Sequence, residues 1–206
     1  MSDKDAFKER ERALEDGYFL KREKELIEKM RRRTALETER RQIAEQIGVT
    51  NDEILEALQS LGYTPETVKL LPVMPLIHVA WANGKISPRE RRMIIDVARA
   101  SDIEEGSEAD RRLETLLNES QPEAVWDANF LAMRAVLESL PAERRDEMRQ
   151  SVLTYCTSLA ALSKGLFGFD TGISAIEKEA LERVIKEMAP PESDAARKIL
   201  EGLQTA

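Results

Sequence analysis

The sequence predicts an all-α fold: a helical bundle with two pseudo-repeated helix–loop–helix units and a long N-terminal helix. Three observations support this prediction. No stretch shows the two-residue apolar alternation that is typical of a half-buried strand. Several stretches have apolar residues at helical spacing, bounded by the Ser, Thr, Gly or Pro residues that favour helix ends. One loop-and-helix pattern also occurs twice, at an offset of 87 residues.

Residues 1–47 are predicted to form a long charged helix, because the stretch lacks proline and good helix formers dominate it. It holds 13 Lys and Arg residues and 12 Asp and Glu residues. Its apolar residues form three groups with steps of seven and then four, in different registers: Phe7, Leu14, Tyr18; Phe19, Leu26, Met30; Leu36, Ile43, Ile47. We expect such a helix to pack along a narrow stripe, to form a homo-oligomer, or to bind a partner. The basic run at 29–33 leaves peripheral membrane association as an alternative.

The rest of the chain divides, on this interpretation, into a short helical linker at residues 48–64 and a bundle at residues 65–206. Thr50 followed by Glu53 predicts a capping box at the start of the linker helix. The stretch from Leu70 to Ala82 is apolar nearly all round, which favours a central buried helix. Residues 142–163 are predicted to form a long helix. The side of this helix that is predicted to be buried consists of Met148, Val152, Tyr155, Cys156, Leu159 and Leu162.

Composition restricts the classes of function. The net charge is −8, because residues 1–47 have a net charge of +1 and residues 48–206 have a net charge of −9. An acidic body argues against nucleic-acid binding and suits a cation or a basic partner. No apolar run approaches the roughly 20 residues of a spanning helix, and the charged N-terminus shows no signal segment. The single cysteine, Cys156, excludes an internal disulfide. We therefore expect a cytoplasmic protein.

The repeated pattern is the one candidate site. Ile86-Ser87-x-x-Glu90 matches Ile173-Ser174-x-x-Glu177, and Asn83 aligns with Asp170. If the two units pack side by side, the oxygens of four residues could converge on Ca²⁺ or Mg²⁺: Asn83, Glu90, Asp170 and Glu177. The alternative is purely structural, since Ser-x-x-Glu also caps a helix and Asn-Gly and Asp-Thr-Gly are ordinary turns. Neither loop has the EF-hand pattern.

No catalytic motif stands out elsewhere. His78, the only histidine, lies on an apolar helix with no second metal-binding residue nearby, so a core or boundary position is favoured over a ligand role. Cys156 lies among apolar residues with no activating cation in the sequence around it, which favours a buried thiol. An enzyme would have to be a helical hydrolase that uses scattered carboxylates, and nothing positive points to one.

The segment His78-Val-Ala-Trp-Ala-Asn-Gly-Lys-Ile-Ser-Pro-Arg-Glu90 resembles the TerB-like (tellurite-resistance) family of helical domains. That family has a small-residue helix, then Ala-Asp-Gly-x-Ile-x-x-x-Glu, then an apolar helix. Asp170-Thr-Gly-Ile-Ser-Ala-Ile-Glu177 is similar to a second such unit, so the resemblance covers about residues 65–190. It implies a pseudo-symmetric bundle with a non-enzymatic role in stress response, as a metal sensor or a scaffold near the membrane.

The resemblance places the family's acidic loop positions at Asn83, Glu90, Asp170 and Glu177. Asn83 departs from the family pattern, which has Asp there, and so removes one negative charge. Residues 7–15 are separately similar to the start of the bacterial ATP-synthase inhibitor zeta family, in which a charged N-terminal helix inserts into the catalytic motor. The favoured hypothesis is a module that binds a protein partner with a weak cation site, and the alternative is a cation sensor.

Overall fold

The computed structural model describes residues 3–163 and 175–188, with side chains described for residue 18, residues 20–162 and residues 175–188. These residues form eight α-helices and one 3-10 helix: α1 (Asp3–Ile47), α2 (Asp52–Ser60), the 3-10 helix (Thr67–Val73), α3 (Met74–Trp81), α4 (Pro88–Ala100), α5 (Glu108–Asn118), α6 (Glu123–Ser139), α7 (Ala142–Ser163) and α8 (Ala175–Met188). The described residues include no strand, so the predicted all-α fold is confirmed.

The chain divides into two units, Met1–Arg41 and Gln42–Ala206. The first contains most of α1, which is one continuous helix as predicted. Every side chain from residue 20 to residue 38 is exposed. Arg33 donates from Nε to Glu37 Oε1 at 2.9 Å, an ion pair that links successive turns.

The second unit is built around α3 and α7. Helix α7 packs against α3, α8, α4 and α6, and α3 also contacts α8 and α6. The predicted central helix is real but begins later than expected. Residues 67–73 form a 3-10 helix and α3 starts at Met74, with Pro75 in its first turn. Pro72 and Pro75 explain this difference, because a proline has no N–H to donate within an α-helix.

The buried side of α7 is partly as predicted. Its fully buried residues are Val152, Leu153, Cys156, Leu159 and Ala160. The prediction was wrong for Tyr155 and Leu162, whose exposed fraction is 37% each. Both residues are apolar and correctly spaced, but the helix is rotated so that its buried face centres on Leu153 and Cys156.

Helix α2 belongs to the core, since Leu55 and Leu58 are buried and the helix packs against α6. Its cap differs from the prediction. Asn51, not Thr50, is the N-cap, and Asn51 Oδ1 accepts hydrogen bonds from the backbone N–H groups of Glu53 and Ile54. Both residue types cap helices well, and the sequence alone did not distinguish two adjacent candidates.

Candidate functional site

The turn between α3 and α4 brings Asn83 to the start of α8. Gly84 has a φ of +80°, a left-handed conformation that favours glycine, and its N–H donates to Trp81 O at 2.8 Å. Asn83 Oδ1 accepts from Lys85 N at 3.2 Å, and Asn83 Nδ2 donates to Glu177 Oε1 at 3.2 Å. A loop residue of the first copy of the repeat therefore contacts a helix residue of the second copy directly.

Glu90 is a buried capping residue. Its Oε2 accepts from Ser87 N at 2.7 Å, and Ser87 Oγ accepts from Glu90 N at 3.3 Å, so the predicted capping box is present. Only 3% of Glu90 and 5% of Glu177 are exposed. One carboxylate oxygen of Glu90 is therefore already used to satisfy the backbone at the start of α4.

Two of the four residues predicted to bind a metal ion, Asn83 and Glu177, lie in contact with each other. Asp170 and Ser174 lie outside the described residues, so the four-residue site stays a prediction. Within residues 3–163 and 175–188, no three Asp, Glu, His or Cys side chains are close enough together to hold a metal ion. Asn83 presents an N–H group to Glu177, which suits a hydrogen bond between the two repeats.

A cleft of about 360 Å³ lies beside this junction. It is lined from α3, the segment before α6, α6 itself and α8, by residues that include His78, Trp81, Gln121, Trp126, Ile176 and Arg183. The Trp81 indole is held in place because its Nε1 donates to Leu116 O at 2.9 Å. The cleft mixes aromatic walls with charged edges.

His78 forms the inner wall of the cleft. Its ring meets Trp126 and Phe130 edge-on, with centroids 5.2 and 5.1 Å away. Its Nε2 is buried, without a hydrogen-bond partner in the described part of the chain. Burial, and secondarily the positive charge of Arg183, lower the pKa of His78 to about 4. The imidazole is therefore neutral at pH 7, in agreement with the predicted boundary position.

Arg183 ties α8 to α6. It donates to the carboxylates of Glu123 and Asp127, and its guanidinium lies 4.9 Å from the centre of the Phe130 ring. Such a partly shielded, doubly paired arginine orients the cleft wall more than it offers a free charge. Sequence reasoning did not find this residue, because its partners are 56 and 60 positions away.

Cys156 is fully buried, and burial alone raises the pKa of its thiol well above the usual range. A thiol that stays protonated is a poor nucleophile and a poor metal ligand. The prediction of a buried, unreactive cysteine is therefore confirmed for its burial and supported for its chemistry.

Two features of interest were not anticipated. Arg145 and Arg149 lie on the core-facing side of α7 with buried Nε atoms that have no hydrogen-bond partner. Their spacing did contain a hint, because residues 145 and 149 continue backward the stripe formed by residues 152, 156 and 159.

Among the described helices, none combines the length and apolar character that crossing a membrane requires.

Comparison with known proteins adds no relative. No protein-family model matches the chain, and neither a curated protein nor a solved structure is significantly similar to it.

Proposed function

We propose that this chain is a non-enzymatic, TerB-like helical module that binds a protein partner through α1. The observation behind the proposal is one exposed apolar stripe, which we call the α1 stripe: Leu20, Leu26, Ile27 and Met30. Their exposed fractions range from 41% for Ile27 to 63% for Met30. At 3.6 residues per turn the four side chains fall within about 120° of the helix circumference. Exposed apolar residues grouped in this way favour helix-in-groove recognition.

The edges of the α1 stripe are basic. At the same helical periodicity, Arg22 and Arg33 flank it on one side and Lys24 and Arg31 on the other. Cationic edges around an apolar strip fit an apolar groove with an acidic rim. An anionic membrane is disfavoured, because Glu23 lies within the stripe and the apolar face is narrow. The proposed partner is therefore a cytoplasmic protein with an acidic, apolar groove.

The test is a double substitution of the full-length chain, Ile27→Gln with Met30→Gln, which keeps good helix propensity. Leu36→Gln is the matched control, because Leu36 is also apolar and 51% exposed but lies outside the α1 stripe. Cross-linking and quantitative affinity capture should recover a partner with the native chain and the control, and lose it with the double variant. Equal recovery by all three chains would refute the proposal.

Two further measurements distinguish the other binding partners that the α1 stripe could have, a second copy of the chain and a membrane. Light scattering that shows a dimer abolished by the double variant would assign the stripe to a second copy of the chain. Co-flotation with anionic vesicles, lost in the same variant, would assign it to a membrane. Either result would replace the acidic protein groove as the partner.

A divalent-cation site at the loop junction is the second candidate function. The supporting observation is that the side chains of Asn83 and Glu177, both members of the predicted ligand set, lie within hydrogen-bond distance of each other. Calorimetric titration with Ca²⁺ and Mg²⁺ should show saturable binding that Glu177→Gln weakens, because hard cations bind through carboxylate oxygens. A flat titration at about 1 mM metal, a concentration typical of weak calcium sites, would exclude it.

A further inference from the structure

Helix α7 turns two arginines toward the body of the protein. Val152 and Cys156 are buried, and the same face continues one and two turns earlier with Arg149 and Arg145. The exposed fractions of these two side chains are 16% for Arg149 and 29% for Arg145. An apolar residue would ordinarily occupy such positions on a helix that packs against a core.

The two guanidinium groups are poorly neutralised. Both Nε atoms are buried without a hydrogen-bond partner in the described residues. Within the described part of the chain, Asp146 is in ion-pair range, at 3.9 Å from Arg145 Nε and 3.8 Å from Arg149 Nη1, and the charge of Glu138 also acts on Arg149. These distances are too long for hydrogen bonds, and Asp146 is itself 71% exposed. Burial first, and then the charge of Arg145, hold the pKa of Arg149 below its usual value.

This arrangement is unfavourable in the absence of a ligand. A buried donor without an acceptor costs about 1–3 kcal/mol, and two like charges four residues apart on a helix repel each other. The two Nε atoms are closed to solvent, so an anion would pair with the terminal guanidinium nitrogens of the two arginines and cancel the repulsion between them. Their Cβ atoms are about 5–6 Å apart at this spacing, a distance that one tetrahedral oxyanion can bridge.

We propose that Arg145 and Arg149 bind a phosphate-type oxyanion, either free or as the ester group of a small molecule. Two guanidinium charges match a dianion better than a carboxylate, and arginine forks pair with phosphate oxygens in a bidentate manner. The site lies on α7 and is independent of the α1 stripe, so either proposal can fail without the other.

The test titrates the full-length chain with inorganic phosphate at constant ionic strength, measuring binding by calorimetry and the thermal midpoint in parallel. The native chain should bind saturably and melt at a higher temperature as phosphate rises. Arg149→Gln should weaken binding by about tenfold or more, the loss expected for one charge-assisted contact. Arg144→Gln, an equal charge change at an exposed position of the same helix, should leave binding unchanged.

A conservative variant and other anions test the phosphate site further. Arg149→Lys retains the charge but loses the fork, so it should also bind phosphate more weakly while remaining folded by circular dichroism. Glycerol phosphate that binds like inorganic phosphate would identify an ester ligand, and glycerol phosphate that does not would identify the free ion. No saturable binding up to about 10 mM phosphate, well above a millimolar Kd, would overturn the proposal. Equal binding of acetate, or an equal effect of Arg144→Gln, would overturn it as well.

Discussion

Asn83 donates a hydrogen bond to Glu177 across 94 positions of sequence. Each residue belongs to one copy of the repeated pattern, so the contact shows how the first loop and α8 are placed against each other. Asn83 also accepts from Lys85 N, which fixes the orientation of its amide. The residue at position 83 therefore stabilises both its own turn and the packing between the repeats.

Removing this contact should destabilise the bundle modestly. Asn83→Ala should lower the free energy of unfolding by about 1–2 kcal/mol, because it removes a hydrogen bond to a buried carboxylate and one turn contact. A double-mutant cycle with Glu177→Ala, which removes the acceptor, followed by urea unfolding, should give a coupling energy of about 0.5 kcal/mol or more. Additive effects of the two substitutions would contradict a direct interaction.

Acid should weaken the protein through His78. The pKa of this imidazole falls from its ordinary 6.5 to about 4 on folding, so between these pH values the unfolded chain binds more protons than the native one. The contribution of neutral His78 to the free energy of unfolding is fully present above pH 6.5 and is lost as the pH falls toward 4. The total loss is at most about 3 kcal/mol.

The groups that face His78 are Arg183 from α8 and Glu123 and Asp127 from α6. Carboxylates elsewhere also titrate in acid, so the relevant quantity is the difference between the native chain and His78→Gln. The free energies of unfolding of the native chain and of His78→Gln, measured between pH 7 and pH 4.5, should converge as the pH falls. Parallel curves for the two proteins would show that His78 does not titrate as inferred.

Asp102 should tolerate glycine better than alanine. Its φ is +57°, a left-handed conformation that strains residues with a side chain. Its backbone oxygen accepts from Lys69 Nζ at 3.2 Å, a contact that glycine preserves. Asp102→Gly should be neutral or stabilising by up to about 1 kcal/mol, and Asp102→Ala should destabilise by about 1 kcal/mol. Thermal unfolding of both variants checks the order, and a more stable alanine variant would contradict it.

A buried polar pair should be sensitive to losing one member. Tyr63 donates through its hydroxyl to Asn129 Oδ1, and Asn129 Nδ2 donates to Val125 O at 2.7 Å. Tyr63→Phe leaves the amide oxygen of Asn129 buried without that donor, which should cost about 1–3 kcal/mol. Adding Asn129→Leu removes the unsatisfied group and should recover part of the loss in chemical denaturation. A double variant less stable than the sum of the single variants would oppose this explanation.

The sequence predicted most helices and the Ser87–Glu90 cap, because both depend on residues within one or two turns of each other. It did not distinguish Asn51 from Thr50 as a cap, and it placed Tyr155 on the buried side, since rotation of a helix depends on its neighbours. The pairing of Arg183 with α6 arises from segments that are distant in sequence. Such features follow from packing, which local periodicity does not specify.

The burial of Cys156 has a practical consequence. It is the only cysteine in the sequence, and a thiol that is inaccessible and protonated reacts slowly with maleimides and other thiol reagents. A cysteine introduced at an exposed position such as Glu28 or Arg144 should therefore take a fluorophore or spin label selectively, with no need to remove the native one. Distance measurements between α1 and α7 can be made in the otherwise natural protein.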